Sequence, residues 1–240
     1  MKNTKKIFLL VCSLMFLVFG QAMAAERQYD AVRSHGSVTQ EVAPDTAFVN
    51  VGVMTQGKTA EEARAINAEI TNNVISSLEN LGIARDDIKT VGYSLHPDYS
   101  DYVKGKRSII GYTINYSLSV KVENLDRLGA IIDQMFADGA NTFNGVTFTL
   151  SNRKAVEREL LALALKNAEE KASIVANAGG RTLGRLVEAN IGGIGGMEYS
   201  ESNYDTIMLR KAGMDSAAPT QIMGGTLKVS ANVDASFELL

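Results

Sequence analysis

The sequence is nearly without cysteine, and its one cysteine lies outside the folded protein that we predict. Cys12 is the only cysteine in 240 residues and sits inside an apolar run from Ile7 to Gly20. A lipidated cysteine would follow a small residue at the end of such a run, whereas Val11 precedes Cys12 and more apolar chain follows it. We therefore expect no lipid anchor at this position.

The same segment has the pattern of a cleavable export signal. Three lysines precede the 14-residue run of Ile7–Gly20, and the small residues Ala22 and Ala24 follow it. A membrane-spanning helix needs about 20 apolar residues, so the run is too short for an anchor. We predict cleavage between Ala24 and Ala25, with a signal peptide over 1–24 and one domain over 25–240. The mature chain then has no thiol, no disulfide and no thiolate metal ligand.

Basic residues are also in short supply. The formal net charge is −3, and removal of the three lysines of the leader, which contains no acid, makes it −6. Nucleic-acid binding requires a basic face, so the composition excludes that class of partner. Tryptophan is absent, prolines number three, and no second stretch approaches membrane-spanning length. We expect a globular protein exported to the cell envelope.

Apolar periodicity predicts an α+β fold. Thr59 and Glu62 form a capping box at a helix start, and Gly82 follows the last apolar residue of that helix. The predicted helices are 59–81, a second between Asn124 and Gly139, and 152–178. Alternation predicts strands over 45–54, 88–95, 110–122, 146–150, 186–191 and 226–240. The order strand–helix–hairpin–helix–strand–helix–strand–strand indicates a mainly antiparallel sheet with helices packed on one face.

A segment of more than thirty residues, 192–225, has no periodicity. Loops of that length are usually functional or mobile. Its glycine-rich start lacks the Lys-Ser/Thr of a phosphate loop, so we interpret it as a hinge. Its thioethers suit oxidant scavenging, Cu(I) binding or, as we favour, a soft contact surface. The predicted contact residues are Met197, Tyr199, Tyr204, Met208 and Met214.

The residues offer little for catalysis. His35 and His96 are the two histidines, and neither lies in a recognised catalytic motif. Asp98 and Asp101 near His96 match no metal-ligand spacing, and aspartates are common at a polar hairpin tip. We predict no catalytic, cofactor or metal site, and hence no enzyme.

Several segments, in order along the chain, resemble the SIMPL-domain family, which includes periplasmic oxidative-stress-defence proteins and periplasmic immunogenic proteins. The segments are 43–47, 51–53, 59–63 with Asn67, 81–83, 87–90, 95–99, 111–112, 139–141 and the alanine and lysine spacing of 164–179. Two features depart from the family pattern. Ser34 stands where a Gly-x-Gly pair is usual before Gly36, and segment 192–225 has no counterpart motif.

The resemblance implies a periplasmic α+β protein with a role in oxidative or envelope stress and a tendency to form ring assemblies. It transfers no catalytic residues. Our first hypothesis is therefore a non-enzymatic, self-assembling stress-defence protein of the periplasm. The alternative is a binding or chaperone-like module that holds a small ligand or an envelope protein with the 192–225 loop.

Overall fold

The strands form two antiparallel sheets, each covered by helices on one face. The computed structural model describes residues 30–102, 106–192, 198–199 and 220–240. The strands are β1 Ala31–Val42, β2 Thr46–Gly57, β3 Ile88–Tyr99, β4 Ile109–Val122, β5 Thr142–Thr149, β6 Leu183–Ile191, β7 Glu198–Tyr199 and β8 Leu227–Leu239. The helices are α1 Ala60–Asn80, α2 Leu128–Ala137 and α3 Arg153–Ala178, with 3-10 turns at Arg85–Asp87 and Leu125–Arg127.

The two sheets draw on different parts of the chain. The central sheet has the strand order β3-β4-β2-β5 and comes from the middle of the sequence. The terminal sheet has the order β1-β8-β6, with the short β7 also paired to β8, and unites the two ends of the described chain. The predicted α+β class is confirmed, and its strands are divided between these two sheets.

The core of the central sheet is built from large aliphatic side chains. Val49, Val51 and Leu118 point from β2 and β4 towards α1 and α2, where Leu78 and Leu128 are fully buried. Alternation along β2 places Phe48 and Met54 on the opposite face, where they remain exposed. The cap at Thr59 is confirmed because Thr59 Oγ1 accepts from Glu62 N at 3.1 Å, while the Glu62 carboxylate accepts from Lys58 N at 2.8 Å. Gly82, just after the helix, has a positive φ of 89°.

Most of the α3 positions buried in the core of the terminal sheet are alanines. An alanine column on α3, spaced every four residues, packs on alternate residues of β8; its members are Ala164, Ala168, Ala172 and Ala176. The approach between α3 and β1 is so close that a Cβ on Gly36 would lie 1.9 Å from the Ala164 carbonyl oxygen. Lys171 Nζ also donates to the His35 carbonyl oxygen at 2.9 Å. Only a glycine fits at position 36.

Asp45 joins the two connections that pass between the sheets. Its carboxylate accepts from Ser151 N and from Ser151 Oγ, each at 2.6 Å, and thereby links the β1–β2 connection to the β5–α3 connection. These hydrogen bonds hold the pKa of Asp45 below its usual value because they favour the charged form. The family-like segment at 43–47 therefore has a structural role as a joint.

Two asparagines of the family-like segments also stabilise β2. The buried Asn67 side chain donates from α1 to the Val53 carbonyl oxygen at 2.9 Å. Asn141 accepts from Met54 N at 2.8 Å and donates to Met54 O at 2.7 Å, in the manner of a paired strand residue. Both amides fix the position of β2 relative to its neighbours.

Several boundaries differ from the sequence predictions. The strand β1 was not predicted, and β3 continues through Pro97 to Tyr99 instead of ending at Leu95. An edge strand tolerates proline because one side of its backbone needs no partner. The last part of the predicted 192–225 loop is packed: Ile222 contacts the central core, and Thr220 N donates to Asp133 Oδ2 at 3.0 Å.

Candidate functional site

The solvent face of the terminal sheet carries a cluster of polar side chains from three strands. The strand register places His35 of β1 beside Asp234 of β8, and Asp234 beside Asn190 of β6. Two residues further along β8, Ser236 pairs with Arg33 of β1 on one side and with Glu188 of β6 on the other. These six residues, together with the backbone of positions 34 and 235, surround a cleft of about 450 Å³. Charged groups of both signs converge in this cleft.

His35 and Asp234 form an exposed hydrogen-bonded pair. Their Nδ1 and Oδ1 atoms are 2.8 Å apart, and the side chains are 57% and 65% exposed. The carboxylate orients the imidazole, as an acid does in a catalytic triad. Among the described residues, however, no hydroxyl group hydrogen-bonds to His35. The geometry therefore supplies an oriented base without an adjacent nucleophile.

Arg33 and Glu188 line opposite sides of this cleft. Within the described part of the chain, neither side chain forms a hydrogen bond or an ion pair with another residue. Adjacent strands are about 4.8 Å apart, so β1 and β6 flank β8 with a separation of roughly 10 Å. Ser236, which is buried, lies between them on β8. Among the described residues, this arrangement leaves the Arg33 guanidinium and the Glu188 carboxylate without a partner on either side of a polar floor.

A second candidate surface lies on the edge of the central sheet. Tyr93 and Leu95 of β3 lie on the face on which α1 and α2 pack, but both side chains remain exposed, at 54% and 38%. Ile110 lies on the same face of β4 and is 63% exposed. Tyr93 stacks edge-on against Tyr116 with the ring centroids 5.9 Å apart. We call Tyr93, Leu95 and Ile110 the hairpin row.

The edge strand β6 of the terminal sheet is only partly covered by α3. α3 packs over β1 and β8, and a groove of about 280 Å³ remains between α3 and β6. Its lining includes Leu161 and Leu165 of the helix and Ala189 and Ile191 of the strand. The apolar centre of α3 exposes Leu163 at 43%.

The predicted contact loop is only partly described. Tyr199 lies in β7, where its backbone pairs with Leu227. Met197, Tyr204, Met208 and Met214 lie outside the described residues, as do the predicted signal peptide and its cleavage position at Ala24 and Ala25.

The histidine near the hairpin tip has structural neighbours. His96 pairs with Thr113 across β3 and β4, and Thr113 Oγ1 donates to Asp98 Oδ2 at 2.8 Å.

Within the described ranges, no three acidic, histidine or cysteine side chains converge as a metal-ligand set. None of the helices formed by the described residues has the length and apolar character needed to span a bilayer.

Sequence reasoning did not find the polar cleft. His35 was considered alone, because its partner Asp234 is 199 positions away. One signal was present: β8 alternates strictly, and its second set of residues, which includes Asp234 and Ser236, is polar. That pattern indicates a solvated face, but the strands that flank it determine which side chains meet there.

The sequence is similar to one protein family and to several of its relatives in bacteria. The SIMPL family model, described as "Protein of unknown function (DUF541)", matches residues 32–237 and so includes strands of both sheets. The 26 kDa periplasmic immunogenic protein of Brucella melitensis is 34% identical over 176 residues, 70% of this chain and 70% of that protein. The uncharacterized protein YggE of Escherichia coli K12 is 26% identical over 228 residues, 92% of this chain and 89% of that protein.

Proposed function

The chain belongs to the SIMPL family, and on that premise we propose that it is a periplasmic protein that assembles with copies of itself and supports tolerance of oxidative or envelope stress without catalysis. A relative that is 34% identical is named as periplasmic, which agrees with the leader predicted at 1–24. The predicted mature chain has no cysteine, so any oxidative defence by it does not use thiol chemistry.

The hairpin row is the observation that carries this proposal. An edge strand with exposed apolar side chains presents both unpaired backbone groups and apolar surface to a second chain. Tyr93, Leu95 and Ile110 lie along one face of such an edge and are between 38% and 63% exposed. Their burial between copies would remove this surface from water, which is the main favourable term in association.

The role of the family-like segments agrees with a structural protein. Asp45, Asn67 and Asn141 use their polar groups on the backbone or on a connection of the fold. A catalytic group would instead need to face a bound substrate. These three polar groups therefore support the fold itself.

Light scattering after size-exclusion chromatography tests the assembly. The mature wild-type chain is expected to elute as an oligomer, and the double variant Tyr93→Lys with Leu95→Lys as a monomer with unchanged circular dichroism. The matched control is Ser94→Lys with His96→Lys, which adds the same charge to the other face of β3 and should remain oligomeric. Ile110→Lys removes apolar surface without disturbing the stacked Tyr93 and should also weaken assembly. A wild-type chain that is monomeric at every concentration would refute the proposal.

The stress role is tested in cells that lack the gene for this chain. Expression of the wild type should restore survival in hydrogen peroxide, and the monomeric Tyr93→Lys, Leu95→Lys variant should not. Periplasmic amounts of both proteins are compared by immunoblot as the control. Full restoration by the monomeric variant would separate stress tolerance from assembly and contradict the proposal.

A further inference from the structure

The two unpaired charges on the terminal sheet are the starting point. Arg33 and Glu188 are exposed and have no partner within the described part of the chain. Other charged side chains of the same face are paired: His35 with Asp234, Glu41 with Lys228, and Arg185 with Glu238. A free guanidinium and a free carboxylate that line one cleft but do not reach one another leave room for a molecule between them.

Arg33 and Glu188 do not pair with each other among the described residues, and the gap between their strands suits a small ligand. Arg33 and Glu188 lie on strands that flank β8, roughly 10 Å apart at the backbone. The floor between them is Ser236, a buried hydroxyl-bearing residue, and Asn190 adds an amide beside Glu188 on the same face. The cleft volume of about 450 Å³ exceeds the space that one water molecule needs.

The balance of charge indicates the class of ligand. Arg33 offsets Glu188, and the Asp234 carboxylate lies 2.8 Å from His35 Nδ1, so groups of both signs line the cleft. A simple anion would be attracted to Arg33 but repelled by Glu188 and Asp234, and a simple cation would meet the opposite pattern. A molecule with one charge of each sign satisfies both sides.

We propose that this cleft binds a small zwitterion, a free amino acid or a short peptide, with its carboxylate on Arg33 and its ammonium group on Glu188. The guanidinium fork suits a carboxylate because it forms two parallel hydrogen bonds. The ammonium group donates to the Glu188 carboxylate and to the side-chain oxygen of Asn190. The site adds a ligand to the structural role proposed above and does not depend on assembly.

The test is a titration of the isotope-labelled mature protein, followed by the amide resonances of β1, β6 and β8. Glycylglycine is the zwitterionic probe, and acetate and ethylammonium each carry one of its two charges. Saturable shifts are expected around Arg33, Glu188 and Ser236 with glycylglycine, and much weaker shifts with either single-charge probe. Equal binding of acetate alone, or of ethylammonium alone, would identify a simple ion site and overturn the proposal, as would no response to glycylglycine.

Charge variants give the sharper result. Arg33→Gln and Glu188→Gln should each weaken glycylglycine binding on the order of tenfold, the effect of one charge-assisted contact. The double exchange Arg33→Glu with Glu188→Arg should restore binding, because a zwitterion can bind in the reverse direction. The matched control is Glu41→Lys with Lys228→Glu, which reverses a pair on the same sheet face and should leave affinity unchanged. Failure of the double exchange to recover any affinity would contradict the two-point arrangement. Light scattering on these variants keeps this test separate from assembly.

Discussion

The two sheets differ in the size of the side chains that pack between each sheet and its helices. In the central sheet, large aliphatic side chains such as Val49 and Leu118 fill a wide space beneath α1 and α2. In the terminal sheet, α3 lies almost against the backbone of β1 because its contact positions are alanines and the strand has a glycine at 36. The wide core needs large side chains to fill the space between sheet and helices. The narrow core needs small residues, because the helix and the sheet lie too close together for larger ones. The two sheets should therefore respond differently to the same kind of substitution.

The largest expected effect comes from adding volume to the narrow core. Gly36→Val places side-chain atoms where the Ala164 carbonyl group lies, and neither backbone can move without displacing α3. We expect a loss of about 4 kcal/mol in the free energy of unfolding, at the severe end of overpacking effects. Urea denaturation measures it. Ser37→Val, one residue along on the exposed face of β1, is the control and should change stability by less than about 0.5 kcal/mol. Similar costs for both variants would remove the basis of the comparison.

Removing volume from the wide core comes next. Leu118→Ala deletes three carbons from a fully buried side chain on β4, which leaves a cavity that the surrounding strands close only partly. The expected cost is about 3 kcal/mol, in the range for buried leucines. Urea denaturation, at equilibrium or by folding kinetics, measures this cost. Ser117→Ala, on the solvent side of β4, is the matched control. A cost below about 1 kcal/mol for Leu118→Ala would mean that the central core is not filled as described.

The joint between the sheets should respond to pH. The folded-state pKa of Asp45 is lowered by its hydrogen bonds to Ser151. Its contribution to stability is therefore present above the unfolded-state pKa of about 3.9 and is lost as pH falls through the lower folded-state pKa. Asp45→Asn should be less stable than the wild type at neutral pH, and the difference should shrink as acid is added. Denaturation midpoints of the two proteins over that range measure this, and a constant difference would contradict the assignment.

The smallest effect is expected on the polar face of the terminal sheet. His35→Gln breaks the pair with Asp234, but both side chains are more than half exposed. Exposed ion pairs contribute little, so the expected change in stability is below about 0.5 kcal/mol. A thermal unfolding curve checks this. A loss comparable with that of Leu118→Ala would show that the pair holds β1 to β8 and that the polar face contributes to the stability of the terminal sheet.

Strict periodicity made most of the fold readable from the sequence. β2, α1 and β8 repeat apolar residues at two or at three and four positions, and each was predicted within a few residues. β1 was missed for a physical reason: Ser34, Gly36 and Gln40 interrupt the apolar alternation of its inward positions, and at Gly36 the close approach of α3 leaves no space for a side chain. A narrow core therefore weakens the hydrophobic signal that sequence analysis depends on.

The pairing of strands was beyond sequence reasoning for a different reason. β1 and β8 pair with each other although nearly the whole length of the chain separates them in sequence. Nothing in the local sequence of either strand specifies the other as its partner. The division into two sheets and the cleft at His35 and Asp234 both follow from that pairing. Local chemistry identified His35 as a surface residue, but only the register reveals its partner and places Arg33 opposite Glu188.

The central claim is that the uncovered hairpin row on β3 and β4 makes this an assembling protein. The most direct measurement is the mass in solution of the mature wild-type chain beside the Tyr93→Lys, Leu95→Lys variant, by light scattering at matched concentrations. The account predicts an oligomer for the wild type and a folded monomer for the variant. A folded variant with the same mass as the wild type, or a wild type that is monomeric throughout, would contradict it.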